Sequence, residues 1–501
     1  MLSTIPREIV LLVTNHLDNH KDILNLASCT QDFHALLLPR AFTSIVLADE
    51  SFYQLTRLTH TLAQSPKCAQ AVRVLRFDPN LPTAPGIPEG GRVKYNQEVI
   101  VPLLKTLTSS RKDVAEWEKD LKQEENMDAW IAILLSLVPN LEELAMTFFW
   151  PSLYVRRLLA KNTKPGTNST FLPRLKKIRA RWWDTENGLR SSYIFPFFRL
   201  PSLRTFNGVM IDDGTPYDKE DLRGEENPED DNLYDESFEE YPDYETDPEG
   251  DFRFYPGSED FSGVTHIQLE YSNTGKGFPD LIRACQKLVV FIYEHGHCGN
   301  LDQLAPRRFY PSLCKHKSSL EELAICYDRW WDAVGEEAER QFIGSFVEFR
   351  VLKRLRLRGD NLIIRDGGGE EFEAAKMPGE MLPPSLETLT IEDFSACADP
   401  KGLMKQLKDL RNAVELQCPN LVSLKVITAG GDTQPQENGW PLYSEPSRCV
   451  YGMRRAIELV DCVVEDTGSS QEYREILESK NRPIIPSLYL PLRFQEALQS
   501  I

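Results

Sequence analysis

The sequence predicts an α/β chain: a small helical N-terminal piece, then a solenoid with parallel strands on a concave face and helices on a convex one. Three observations carry this. A short motif, L-x-x-L-x-h with h apolar, recurs along the chain; helix-spaced apolar patterns lie between its copies; and the first thirty residues hold two short amphipathic helices that cannot bury their apolar faces on each other alone.

The N-terminal stretch "IPREIVLLVTNHLDNHKDILNLASC" spans residues 5–29. Apolar residues fall at Ile9, Leu12, Val13 and Leu17, then at Ile23, Leu24, Leu26 and Ala27, which are helix-face spacings. Pro6 suits a first helical turn, where its missing N–H costs nothing, and Glu8 suits the positive end of the helix dipole. The pattern predicts a short helix, a break near residues 18–21 and a second short helix. Glu8, Asp18 and Asp22 and the lack of a small-residue cleavage site argue against a signal peptide, so none is expected.

The motif appears as "VRVLRF" (72–77), "LEELAM" (141–146), "LKKIRA" (175–180), "LRTFNG" (203–208), "VTHIQL" (264–269), "LVVFIY" (288–293), "LEELAI" (320–325), "LKRLRL" (352–357), "LETLTI" (386–391) and "LVSLKV" (421–426). A lead-in recurs with it, as in "VPNLEEL", "LPSLRTF" and "PPSLETL". From residue 141 on, the start-to-start spacings are 34, 28, 61, 24, 32, 32, 34 and 35. Alternation at period two makes each copy a short strand. Helical patterns between copies include Leu403, Leu407, Leu410 and Val414 within residues 401–418, and also residues 150–160 and 337–349. A strand and a helix repeated at this period form a solenoid. The pattern over roughly residues 70–430 resembles the leucine-rich repeat family in irregular form, and the Asn or Cys that usually follows the strand is mostly absent.

Two stretches interrupt the period. Residues 80–138 open on the turn cluster "NLPTAPGIPEGG" and continue with helical segments near 96–108, 111–125 and 127–138. Residues 212–260 carry 21 acidic residues against three basic ones and have no apolar periodicity, which predicts disorder or a loosely held loop. After residue 430 come a Gly/Pro loop and helical patterns near 448–464 and 470–480, expected to cap the solenoid. The domain plan is therefore a helical motif at 1–45, an irregular solenoid at 46–430 with the insertions 80–138 and 212–260, and a C-terminal loop with capping helices at 431–501.

The net charge of −19 belongs almost entirely to residues 212–260; the remainder is nearly neutral. A neutral body has no broad basic surface for phosphates, which disfavours nucleic acid. The longest apolar run, residues 130–138, is too short to span a bilayer, so no membrane association is expected. The ten cysteines are scattered and form no C-x-x-C pair, which argues against a disulfide framework. With no signal peptide expected, the sequon at 168–170 is expected to be accidental.

Catalytic motifs are missing: there is no P-loop, no G-x-S-x-G and no H-E-x-x-H. "DGGGEEFE" (366–373) sets carboxylates where a phosphate cradle would need cations or helix amides. His295, His297, Cys298, Cys314 and His316 are zinc-type ligands, but their spacing matches no common finger. The expectation is a protein with no catalytic residues, cofactor or metal.

With repeats behind it, the N-terminal segment acquires a meaning. "IPREI", Val13 and Leu17, "DILNLASC" and "DFHALLLPRAF" together resemble the F-box, a motif of about 40 residues that binds the Skp-type adaptor of cullin–RING ubiquitin ligases. Ile5-Pro6 stands at the family's Leu-Pro, Glu8-Ile9 at its Glu-Ile, Asp22, Leu26 and Cys29 in its second helix and Phe33 in its third; the closing "LLLPRAF" is similar to the fungal branch. Thr30-Gln31-Asp32 depart from the family, which often has a basic residue there. The resemblance implies that Ile5, Pro6, Glu8, Ile9, Val13, Leu24, Leu26 and Phe33 are adaptor-contact or core residues, in the manner of helix-in-groove anchors. It also implies a substrate-recognition subunit of a Skp–cullin–F-box ligase, cytoplasmic or nuclear, whose solenoid holds a protein substrate. The alternative is a leucine-rich-repeat scaffold without a ligase role.

Aromatic clusters follow three strand copies: Phe149 and Trp150, then Trp182 and Trp183, then Tyr327, Trp330 and Trp331. On parallel strands they fall at one rim, where they either anchor a substrate or fill the turn as core. Two adjacent residues such as Trp182 and Trp183 cannot both face inward on a regular strand. The acidic stretch has three readings: solvated chain, attraction for a basic substrate, or cover over the concave face.

Overall fold

A computed structural model of the chain describes residues 5–17, 20–47, 51–77, 95–108, 110–122, 127–148, 153–163, 171–182, 188–212, 261–273, 278–296, 306–327, 342–362, 381–392, 416–429, 448–454 and 462–464. The chain divides into two compact units, one of residues 1–288 with 295–302 and one of residues 289–294 with 303–501.

The first unit opens with three helices, α1 (Arg7–Thr14), α2 (His20–Ser28) and α3 (Gln31–Ala41). Its strands are β1 (Ser44–Leu47), β2 (Val74–Phe77), β3 (Glu143–Phe148), β4 (Lys177–Trp182), β5 (Leu189–Arg190), β6 (Thr205–Val209), β7 (Ile211–Asp212) and β8 (His266–Ser272). Between them lie α4 (Ser51–Gln64), α5 (Pro66–Ala71), α6 (Gln97–Leu107), α7 (Arg111–Lys122), α8 (Met127–Leu137), α9 (Leu153–Asn162) and α10 (Ser191–Phe198), and α11 (Phe278–Ala284) follows. Strands β1, β2, β3, β4, β6 and β8 are neighbours in that order and every pair is parallel. β5 and β7 form a separate short parallel ladder.

Period two dictates which side chains enter the core. Leu75, Leu144, Ile178, Phe206 and Ile267 are in register across β2, β3, β4, β6 and β8, and all are buried. The leading residue of each motif, Val72, Leu141, Leu175, Leu203 and Val264, is also fully buried. The lead-in sets each strand in place by one recurring device. Leu141, Leu175 and Leu203 each donate an N–H to the carbonyl three residues back, closing a turn. The next two amides then share one carbonyl of the preceding repeat: Glu142 and Glu143 on Arg73, Lys176 and Lys177 on Glu142, Arg204 and Thr205 on Lys176. No strand can slip along its neighbour without losing both bonds.

The repeat begins one copy earlier than the motif reading placed it. Ile45 and Leu47 of β1 are in register with Leu75 and Phe77, so Phe42-x-x-Ile45-x-Leu47 is the same motif with Phe in the leading position. The helical segments expected near 96–108, 111–125 and 127–138 are α6, α7 and α8, and that expected at 150–160 is α9. Residues 128–135 of α8 are all buried, because α8 packs against α4, α5, α7 and α9.

The second unit contains β9 (Val290–His295) up to Glu294, β10 (Glu322–Tyr327), β11 (Arg354–Arg358), β12 (Thr388–Glu392), β13 (Ser423–Ala429), β14 (Arg448–Arg454) and β15 (Cys462–Val464), with the short helices α12 (Tyr310–Leu313) and α13 (Gly359–Leu362). β10 to β13 are parallel, with Leu323, Leu355, Leu389 and Leu424 in register in the core. The lead-in device recurs: the carbonyls of Val289, Glu321, Lys353 and Glu387 each accept two successive amides of the next repeat.

Two expectations are corrected here. Of the helix expected over 448–464, the described residues 448–454 and 462–464 are instead two antiparallel strands, β14 on β13 and β15 on β14. Cys449, Val450 and Tyr451 favour the strand, and Gly452 weakens any helix through them. β14 also pairs a sheet edge that would otherwise stay open. The helix expected over 337–349 is absent from its described part, residues 342–349. Gly344 sits at φ +145°, and the amides of Ile343 and Phe346 go to Asn361 and Met381 at 3.0 and 2.7 Å rather than back along a helix. The helical patterns at 401–415 and 470–480, the loop at 430–447 and the acidic residues 213–260 lie outside the described residues. Among the described residues no helix is long and apolar enough to cross a membrane.

Candidate functional site

The N-terminal helices have a core of their own. Val10 on α1, Ile23 and Ala27 on α2 and Phe33 and Leu37 on α3 form one buried cluster, flanked by the partly buried Leu11, Leu17, Leu26, Leu36 and Ala41. Local chemistry fixes each helix. The Pro6 carbonyl accepts from Ile9 and Val10 at 3.1 and 3.2 Å and starts α1. Thr30 caps α3, its hydroxyl accepting from the Phe33 amide at 3.0 Å. Arg40 reaches back from α3 and donates to the Leu11 carbonyl at 3.2 Å and to the Asn15 side chain, holding the C-terminal end of α1 where a cation is favoured.

This leaves α1 with two apolar faces. Val10 and Thr14 turn inward. Ile9, Leu12 and Val13, together with Ile5 just before the helix, stay exposed, Ile9 by 48% and Leu12 by 56%. Spacings of four, three and one make these one stripe, and Leu24 of α2 is a further exposed apolar residue. Of the expected adaptor residues, Ile5, Pro6, Glu8, Ile9, Val13 and Leu24 are exposed. Leu26 is partly buried, and Phe33, 4% exposed, belongs to the core, because the Thr30 cap starts α3 with that side chain turned inward. Leu12 belongs with the exposed set; its position seven residues after Ile5 was the available signal.

The second surface is the open face of the strands. In the first unit it carries Arg76 on β2, Glu143 on β3, Lys177, Arg179 and Arg181 on β4, and Glu270 on β8. Arg76 pairs with Glu143 at 2.9 Å, Lys177 stands 3.7 Å from the same carboxylate, and Arg179 meets Glu270 at 3.3 Å. Gln268 also donates to Glu270 at 2.9 Å. Among the described residues Arg181 makes no ion pair, and its buried Nε donates no hydrogen bond. Burial and the neighbouring Arg179 both pull its pKa down from the usual guanidinium value, against the pull of Glu270. In the second unit, Arg354 and Arg356 of β11 pair with Glu322 and Glu392 at 2.6 and 2.5 Å.

Trp182 is not a rim residue. It is 4% exposed and continues the inward row of Ile178 and Ala180, while Arg181 takes the outward position. Tyr327 ends β10, and Phe149, Trp150, Trp183, Trp330 and Trp331 lie outside the described residues. His295 and His316 are buried, Cys314 is partly exposed, and His297 and Cys298 lie outside the described residues. Among the described residues no group of three or more His, Cys, Asp or Glu side chains is placed to hold a metal.

A family model described as a leucine-rich repeat domain matches residues 254–434, which include β8 to β13. No curated protein matches the chain. The matched region and the parallel strands agree on a leucine-rich-repeat-like α/β arrangement, a kind of domain that suggests protein interaction.

Proposed function

We propose that the protein is the substrate-recognition subunit of a Skp–cullin–F-box ubiquitin ligase. Helices α1 to α3 dock the Skp-type adaptor, and the repeats hold a protein substrate. The observation that carries this is the second apolar face of α1. Ile5, Ile9, Leu12 and Val13 stay in solvent although the three helices already possess a complete small core. Each such side chain gains about 1.5–3 kcal/mol when a partner buries it fully. A solenoid cap would turn a polar face outward at this place. In this reading the protein catalyses nothing itself. It raises the effective concentration of substrate lysines near a ubiquitin-loaded enzyme and fixes their orientation, in the cytoplasm or nucleus.

Co-purification of the full chain with a Skp-type adaptor tests this. A stable complex is expected from the intact chain, and none from Ile9→Asp with Val13→Asp. Failure of the intact chain to capture the adaptor would sink the ligase reading and leave a leucine-rich-repeat scaffold, the reading that the family match favours by itself.

A further inference from the structure

We infer that Arg179 and Arg181, on the open face of β4, anchor an extended acidic segment of a protein partner, its carboxylates spaced as Asp-x-Asp. This rests on the reading of the solenoid as a protein-binding scaffold and is independent of adaptor docking.

The argument starts from register. Arg181 lies opposite Thr147 on β3 and Val209 on β6, so neither flanking strand offers it a carboxylate. Glu270 shares the row, two strands away, but its carboxylate is taken by Arg179 and Gln268. A guanidinium half removed from water beside a second guanidinium is unfavourable unless an anion joins it. The second unit shows the self-satisfied arrangement, in which Arg354 and Arg356 each meet a carboxylate of a flanking strand.

Two outward residues of one strand stand about 6.6 Å apart, the same spacing as alternate side chains of an extended peptide. A strand-like segment lying along β4 therefore brings one carboxylate to Arg181 and a second to Arg179, which keeps its 3.3 Å contact with Glu270 through Nη2. Nucleic acid fits less well. The same face carries Glu143 and Glu270, which would repel a continuous phosphate backbone but leave room for two local charges.

The test is fluorescence anisotropy on the full chain with a labelled peptide, Gly-Ser-Asp-Ser-Asp-Ser-Gly, and its Asp-to-Asn counterpart, with thermal melts in parallel. Salt-sensitive binding of the Asp peptide alone is expected. Arg181→Gln should weaken it about tenfold, while the melting temperature stays level or rises, because an unpaired desolvated charge is removed. Arg354→Gln should leave binding unchanged. Absence of binding, binding indifferent to Arg181→Gln, or a parallel loss of binding and melting temperature would each overturn the proposal. Binding seen only after the acids of 213–260 are replaced by amides would assign the site to the chain's own acidic stretch and overturn the partner reading.

Discussion

Asp128 shows how one side chain serves two opposed demands. It begins α8 inside the protein and accepts hydrogen bonds from the backbone amides of Tyr154 and Val155, the orphan donors at the start of α9. Burial raises its pKa to about 7, against those amides and the charge of Arg157, which pull it down. The folded state therefore holds this proton more tightly than the unfolded chain. Its contribution to stability is greatest below about pH 4 and declines as pH rises through 7. Asp128→Asn keeps an acceptor oxygen and removes the charge, so its melting temperature relative to the wild type should climb between pH 5 and pH 8. Asp128→Ala loses the cap, and denaturant titration at pH 5 should show a cost of about 1–2 kcal/mol. Gly344 is a second position where one residue decides local structure. Its φ of +145° is open to glycine, and an added Cβ would sit 2.3 Å from the Tyr310 ring. Gly344→Ala should cost about 1–3 kcal/mol from backbone strain alone, read from the denaturation midpoint.

At the level of elements, the lead-in before each strand matters as much as the strand. The residue ahead of the leading Leu repeatedly donates to an earlier turn: Asn140 to Gln70 at 2.8 Å, Ser202 to Pro173 at 2.6 Å, Ser385 to Leu352 at 2.9 Å and Asn420 to Pro384 at 3.1 Å. These side chains stitch repeats together in a chain that mostly lacks the polar residue usual after the strand. Ser385→Ala should destabilise the second unit by about 0.5–1.5 kcal/mol, and Ser385→Asn, which keeps a donor, by less, both measured by denaturant unfolding. The strand copies were legible because alternation and a leading Leu are local signals. β1 escaped because Phe42 stands in the leading place, and β14 because its strand character comes from pairing with β13.

Across the whole molecule, the two candidate surfaces call for different kinds of substitution. Leu37 is fully buried among the N-terminal helices, so Leu37→Ala should cost about 2–5 kcal/mol and expose this region to limited proteolysis. Ile9→Asp with Val13→Asp alters only exposed side chains and should leave protease resistance intact while adaptor capture is lost. That separation distinguishes a docking face from a folding core. Charge is likewise divided by region: −19 overall resides almost wholly in residues 212–260, so the body meets its partners nearly neutral and with its own pattern of cations.

By itself the sequence determined the repeat, its period and the class of fold, because burial at period two and a recurring lead-in write themselves into neighbouring residues. It also marked the N-terminal helices as apolar beyond their own needs. Only the tertiary structure decided which apolar residues those helices keep inside. Phe33 and Val10 went to the core, and Ile9, Leu12 and Val13 to the surface. It also placed Trp182 inward and Arg181 outward, leaving that arginine opposite Thr147 and Val209, with no acid at its own row on either flanking strand. Such facts depend on register between residues dozens of positions apart, and no local pattern encodes them.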